Sequence, residues 1–346
     1  MPCSAAARSA ANGHSPGTIP LKELQMAAKT VSLVLGSGGA RGMAHIGVIR
    51  CLEDQGYQIE NIAGASIGAL VGGFYAAGQL DRLQSWVTAL ERKDVLGLLD
   101  LSFTGGGFFK GVKLMDALSS LVKDQVIEDL TIKLTVVAVD LDRQKEVWFT
   151  DGSLFEAIRG SIAIPSVFKP HNYRDMWLVD GGVLNPVPVS AAMQQVTDLT
   201  IAVNLNAKRT PFNMVSQSRE PHIALDQVSQ RGVQRAIGRF IDRWKSEDAV
   251  EPESRRANEY STLELLNRSI ETMQNTIAQM KLAANIPDIL VEVPYDCGGL
   301  FDYHLADKNI ERGYDLCLDA LKRYEAQGGE PTPDIITPPL TIEEGL

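Results

Sequence analysis

The chain has 346 residues and a formal charge of −10, with 45% hydrophobic but only 6% aromatic residues, enough apolar material for one large core or two modest ones. The acidic balance disfavours a nucleic-acid partner, which needs a basic footprint for the phosphates. Cys3, Cys51, Cys297 and Cys317 have neither metal spacing nor the density of a disulfide framework, so a reducing cytoplasm is the simplest compartment. No apolar stretch predicts a membrane span or a secretory leader.

In chain order, residues 1–30 carry Ser, Ala, Pro and Gly without an apolar period and read as a disordered tail. "VSLVL" (31–35) predicts a buried strand, a glycine-rich loop follows, and "AHIGVIRCLEDQG" (44–56) predicts a helix stopped by glycine. "NIAGA" (61–65) predicts a second strand and the apolar run after Ser66 a second helix. Further on, 110–123 reads as helix, 132–141 and 145–151 as strands, 153–163 as a helix stopped before Pro165, 176–182 as a strand ending in a turn, and 199–206 as another buried strand. A polar stretch then leads to a helix over 227–244, a long helix over about 255–284, the strand "DILVEVP" and a closing helix, before a tail over 326–346. The alternation predicts a three-layer α/β fold, a mostly parallel central sheet flanked by helices, with ligands at the carboxyl ends of strands.

Two glycine patterns carry the chemistry. Gly36, Gly38, Gly39 and Gly42 in "LGSGGARGMAHIG" lie between a strand and a helix, where free amides and the helix dipole make an anion site. A dinucleotide fingerprint fails because Arg41 stands at its last glycine or alanine, and a P-loop fails because Met43 follows Gly42. The remaining uses are an oxyanion hole from the amides near Gly38 and Gly39, or a tight connection alone. Gly64-Ala65-Ser66-Ile67-Gly68 is a G-x-S-x-G between a predicted strand and helix, the setting of an exposed nucleophile on a strained turn. The same five residues also suit a small-residue packing turn.

A serine hydroxyl needs a base. His14 and His222 fall in irregular stretches, His45 begins a helix where it suits a structural role, and His171 and His304 remain eligible. The order Ser66, Asp180, His304 fits a Ser-Asp-His triad. Asp180 ends a predicted strand in "WLVDGGVLNPVP", with Gly181 and Gly182 behind it. It is placed either for chemistry at a strand end or to cap its own Asp-Gly turn.

Together, G-S-G-G-A-R-G, G-A-S-I-G and D-G-G, in this order, resemble the patatin-like phospholipases, as do "SIAIPSVFKP" (161–170) and "DGGVLNPVPVS" (180–190). "PDILVEVP" and "FDYHLAD" resemble the bacterial branch related to neuropathy target esterase. The resemblance implies a catalytic domain over 31–205, with 206–325 a helical extension packed on the same fold. It implies Ser66 as nucleophile, Asp180 as proton acceptor, and Gly38, Gly39 and Ala40 as the oxyanion hole, supported by Gly36, Arg41, Gly42, Gly64, Gly68, Gly181 and Gly182, with no histidine required. The implied substrate is a lipid or lysophospholipid ester, and the implied activity is that of a serine acyl hydrolase without cofactor. No metal cluster or EF-hand pattern occurs, so calcium dependence is not expected. A lipid-binding protein that keeps the fold without turnover is the alternative from another class.

Three segments bear on substrate and partners. The apolar "GGGFFKG" (105–111) either edges an acyl groove or packs on the core as an ordinary loop. Arg231, Arg235, Arg239 and Arg243, opposite Val233, Ile237, Ile241 and Trp244, form a basic amphipathic helix that fits peripheral contact with an anionic membrane or plain docking on the domain. Leu263, Leu266, Ile270, Met273, Ile277 and Met280 alternate steps of three and four, which fits either a homo-oligomer seam or packing on the chain's own sheet.

Overall fold

The structure is a computed structural model that describes residues 28–98, 109–207 and 262–330. The predicted tails and the 227–244 helix lie outside the described residues, apart from their inner edges. The described residues form one eight-stranded sheet: β1 Thr30–Leu35, β2 Gln58–Ala65, β3 Lys133–Asp140, β4 Lys145–Phe149, β5 His171–Tyr173, β6 Met176–Asp180, β7 Leu199–Ala207 and β8 Ile289–Pro294. Strands β3, β2, β1, β7 and β8 run parallel in that order. β4 and β6 run antiparallel to β3, and β5 antiparallel to β6. The expected α/β fold with a mostly parallel sheet is present.

The continuous apolar run of β1 reflects burial on both faces. Val31, Leu33 and Leu35 enter one core, and Val34 the other, as the two-residue strand period requires. On the first face lie α1 (Ala44–Asp54), α2 (Ile67–Ala76), α6 (Leu154–Ser161) and α9 (Ala306–Ala326). The second face carries the short α7 (Val189–Ala192) and the long α8 (Thr262–Ala284), through Val189, Ala192, Ala278 and Leu282. Helix α3 (Leu80–Thr88) stands beside α2, and α5 (Val112–Leu121) packs on α3, on α6 and on α4 (Arg92–Leu98). The last helix is bound into the first core by close backbone contact with α1: a Cβ on Gly313 would lie 2.0 Å from the Ala44 carbonyl oxygen.

Helix α8 docks through Ala278 and Leu282, while Leu266, Met273 and Met280 of the heptad pattern are exposed. The side chain of Leu263 lies outside the described residues.

One detail of strand pairing positions the site. β4 occupies one edge of β3 from Val136 to Asp140. On the other edge β2 pairs up to Ala65 opposite Val137, and β6 takes over with Asp180 opposite Ala138. The carboxyl ends of β2 and β6 therefore meet head to head. The expected strand end does hold Asp180, but β6 runs against the parallel direction.

Candidate active site

Ser66 follows β2 directly and precedes α2. Its backbone sits at φ 56°, ψ −123°, a conformation that costs a non-glycine residue on the order of 1–3 kcal/mol and persists only where neighbours over-determine it. The neighbours are identifiable. The Ser66 amide donates to Ser161 Oγ at 2.8 Å, and that hydroxyl donates to the Val137 carbonyl at 2.6 Å. The Ser66 carbonyl accepts from the amides of Ala69 and Leu70, starting α2. Gly64 and Gly68 pass backbone on both sides, a Cβ on Gly68 lying 2.0 Å from the Leu35 carbonyl oxygen. The turn thus aims the hydroxyl into the site with the positive end of α2 behind it.

That hydroxyl donates to Asp180 Oδ2 at 2.5 Å. The other carboxylate oxygen accepts the Gly182 amide at 2.7 Å, so Asp180 caps its Asp-Gly turn and meets the serine at once. Both side chains are buried, 3% exposed each. Burial pushes the Asp180 carboxyl up to about 6, while the hydrogen bonds from Ser66 and Gly182 pull the other way. Gly181 is obligatory here, since its Cβ would lie 2.1 Å from the Val137 carbonyl oxygen.

The glycine loop lies across the site. The amides of Gly36 and Ser37 donate hydrogen bonds to the Val203 and Pro186 carbonyls. Gly38 and Gly39 lead into a 3-10 turn over Gly39–Met43, whose first amides have no partner within the turn. The amide of Ala40, expected among the oxyanion donors, donates to the Leu300 carbonyl at 3.0 Å. Arg41 turns away from the serine. It donates to the carbonyls of Tyr295 and Gly298 and to Asn206 Oδ1, and burial lowers its pKa. It clamps the loop to the end of β7 and the segment after β8. Gly42 makes room for Ile67, whose side chain a Cβ would meet at 2.3 Å.

The three described histidines are engaged elsewhere. His45 Nε2 donates to the Gly36 carbonyl at 2.8 Å, and complete burial lowers its pKa to about 4, which keeps it neutral. His171 Nε2 pairs with Glu156 Oε2 at 2.8 Å, and His304 Nε2 accepts from Arg92 Nε at 3.2 Å. The hydrogen bond of the Ser66 hydroxyl goes to Asp180.

Ser66 and Gly39 open onto a narrow cavity whose other walls are almost wholly apolar, among them Leu70, Leu83, Val87, Leu118 and Phe168. Tyr303 adds a phenol pushed up to about 12 by burial and by the charge of Asp180. Of the apolar "GGGFFKG", residues 105–108 lie outside the described residues, and Phe109 packs against the Phe168 ring with centroids 6.4 Å apart. Sequence reasoning did not single out Ser161, Tyr303 or the Ile67 amide. The last could have been found, because the residue after a nucleophile on such a turn commonly donates to the oxyanion.

An α/β sheet with a buried serine on a strand-to-helix turn, bonded to an aspartate and opening into an apolar hollow, defines the patatin-like class. A family model described as patatin-like phospholipase matches residues 33–193. An uncharacterized NTE family protein of Mycobacterium bovis is 35% identical over 355 residues, covering 91% of this chain and 98% of that protein. The lysophospholipase nte1 of Emericella nidulans is 25% identical over 316 residues, covering 90% of this chain but 19% of that protein. VipD from Legionella pneumophila aligns with a TM-score of 0.43 at 14% identity, over 86% of this chain and 67% of that one. The chain belongs to the NTE family of patatin-like phospholipases, a family of lipid ester hydrolases.

Proposed function

We propose that this protein is a serine acyl hydrolase of the phospholipase A or lysophospholipase type that cleaves lipid esters through a Ser66–Asp180 dyad. The observation that carries the reading is the 2.5 Å hydrogen bond from Ser66 Oγ to a buried Asp180 carboxylate at the mouth of an apolar cavity. As Ser66 Oγ attacks the ester carbonyl carbon, its proton passes to Asp180 Oδ2. The charge that grows on the carbonyl oxygen is taken by the amides of Gly38 and Gly39, to which the Ile67 amide is added, at the positive ends of two helical turns. Collapse of the tetrahedral intermediate breaks the carbon–oxygen bond of the ester, and Asp180 returns the proton to the leaving alcohol. Water then attacks the acyl-serine with Asp180 again taking its proton, releasing the fatty acid and restoring the hydroxyl.

Aspartate is ordinarily a poor base near neutrality. Burial that lifts Asp180 to about 6 narrows the mismatch while leaving it mostly ionised at pH 7. The cavity accepts the acyl chain, because its walls offer a charged group nothing to pair with. The test is hydrolysis of chromogenic acyl esters and of lysophosphatidylcholine by the wild type, Ser66→Ala and Asp180→Asn, each confirmed folded. Turnover by the wild type, none by Ser66→Ala, and a fall of about three to four orders of magnitude in Asp180→Asn is the expected result. Retained turnover in His171→Ala and His304→Ala separates the dyad from a histidine triad. A folded wild type without turnover on any ester would return the protein to lipid binding alone.

A further inference from the structure

We infer that Trp86 is the floor of the acyl cavity and sets the length of the acyl chain delivered to Ser66. The inference rests on the acyl-ester reading above and goes beyond it to substrate selection.

Helices α2 and α3 are joined by the three residues Ala77, Gly78 and Gln79, and Gly78 at φ 68° takes the left-handed turn open to glycine. So short a connection makes α3 an antiparallel neighbour of α2, which brings its second half back beside the cavity that starts at Ser66. Leu83 and Val87, four residues apart, are 1% exposed and line that cavity. Trp86 follows Leu83 by three residues and so shares its side of the helix. Its ring lines the same cavity from α3.

Trp86 also lines a second, open hollow on the outer surface, with Asp81, Arg82, Ser85 and Leu121. Among the described residues, it is the one residue that the two hollows share. One side of the indole therefore faces the apolar interior, and the other faces an open hollow that Leu121 lines with an acid, a base and a hydroxyl. An indole suits this place, having a large apolar body and a polar edge that tolerates water. An acyl chain that reaches the indole is stopped by the ring, so additional methylenes stay in water. Removing the ring joins the two hollows and lets the chain end pass through.

The experiment is a chain-length profile of kcat/KM for p-nitrophenyl esters from butyryl to palmitoyl, for the wild type, Trp86→Phe and Trp86→Ala, with thermal melts to establish folding. Each methylene newly taken from water contributes about a fourfold gain, so the palmitoyl-to-octanoyl ratio should rise at least about tenfold in Trp86→Ala and far less in Trp86→Phe. A ratio unchanged in folded Trp86→Ala, with the wild type hydrolysing esters, overturns the inference and leaves the acyl-ester reading standing.

A second measurement needs no turnover and no alanine variant. The chain has four tryptophans, and fatty acids brominated at the terminal carbon quench an indole they touch. Over a series of chain lengths, quenching present in wild type and absent in Trp86→Phe, at one length and not with bromine at the second carbon, supports the floor. Binding without any Trp86-dependent quenching, or no binding of any fatty acid, overturns it. An absence of all ester turnover with quenching intact would sink the hydrolase reading while the floor survives.

Discussion

Ala65 and Asp180 pair with consecutive residues, Val137 and Ala138, on one edge of β3. Two strands that arrive from opposite directions thus end against each other. The residue that follows the first strand is Ser66, and the residue that ends the second is Asp180. Their contact is a consequence of sheet register rather than of loop conformation, which is how a functional pair is held to tolerances a loop would not keep. Val137 is the shared support: its carbonyl accepts from Ser161 Oγ and lies against Gly181.

Gly181→Ala tests that register. The added Cβ would lie 2.1 Å from the Val137 carbonyl oxygen, which is main chain within the sheet and cannot rotate away. Either β6 shifts or the hydrogen bond from Ser66 lengthens. The expected outcome is a loss of about 2 kcal/mol or more in stability together with a collapse of turnover, read by thermal melting and ester hydrolysis. A melt like that of the wild type would show that the head-to-head junction has slack.

The pH–rate profile follows from the carboxyl that must accept the proton. With Asp180 raised to about 6, its ionised fraction falls about tenfold per unit below that pH. kcat/KM should climb through pH 5 and 6 and level off above about 7. A profile flat down to pH 4 would mean that the working carboxylate has an ordinary pKa or that the base lies elsewhere.

Stability should respond to the same group with the opposite sign. A carboxyl whose folded pKa is raised from 3.8 to about 6 binds protons more tightly in the folded state, so its contribution to stability falls as pH rises from about 4 to 6. Above that range the buried charge costs on the order of 3 kcal/mol. His45 works against it in the same window. Its pKa is depressed from 6.5 to about 4, so the unfolded state binds the proton first, and stability falls as pH drops through that interval. The two slopes oppose each other in the wild type. Asp180→Asn removes one of them. The variant should melt higher than wild type at pH 7.5 and lose more stability than the wild type on acidification from about pH 6.5 to 4. Urea unfolding at stepped pH reads both curves.

The site was legible in the sequence wherever a residue type answers a local demand. Gly64, Gly68 and Gly181 stand where main chain passes too close for a Cβ, and Ser66 and Asp180 sit between them. What stayed hidden depends on partners far along the chain. No local pattern tells that the Ala40 amide is taken by Leu300, or that Arg41 spends its fork on Tyr295, Gly298 and Asn206. The direction of β6 is decided by which edge it joins, and its alternation reads the same either way. The steps of three and four in α8 do not tell that Leu266, Met273 and Met280 are exposed while Ala278 and Leu282 enter the core. Trp86 and Tyr303 look like ordinary core aromatics until the cavity they line is seen.

Ser161 provides the last prediction, and it separates positioning from packing. Its hydroxyl joins the Ser66 amide to the Val137 carbonyl and is fully buried. Ser161→Ala leaves the Ser66 amide without its acceptor in a site closed to water, a loss of about 1–3 kcal/mol, and removes one of the bonds that hold the φ 56° turn. The strain then relaxes by tilting the serine away from the carbonyl it attacks, so kcat should fall by about ten- to a hundredfold with KM little changed. Ser161→Thr, which keeps the hydroxyl, should recover much of the rate if the methyl is accommodated, and Ser161→Cys, a weaker acceptor, should fall between. Reaction with a fluorophosphonate probe gives an independent reading, because it reports the orientation and activation of Ser66 without needing a lipid. Labelling that slows in Ser161→Ala in parallel with kcat would place the defect at the serine. A variant that is destabilised by the full amount yet labels at the wild-type rate would make Ser161 a packing residue, and the turn would then be held by Gly64, Gly68 and the start of α2 alone.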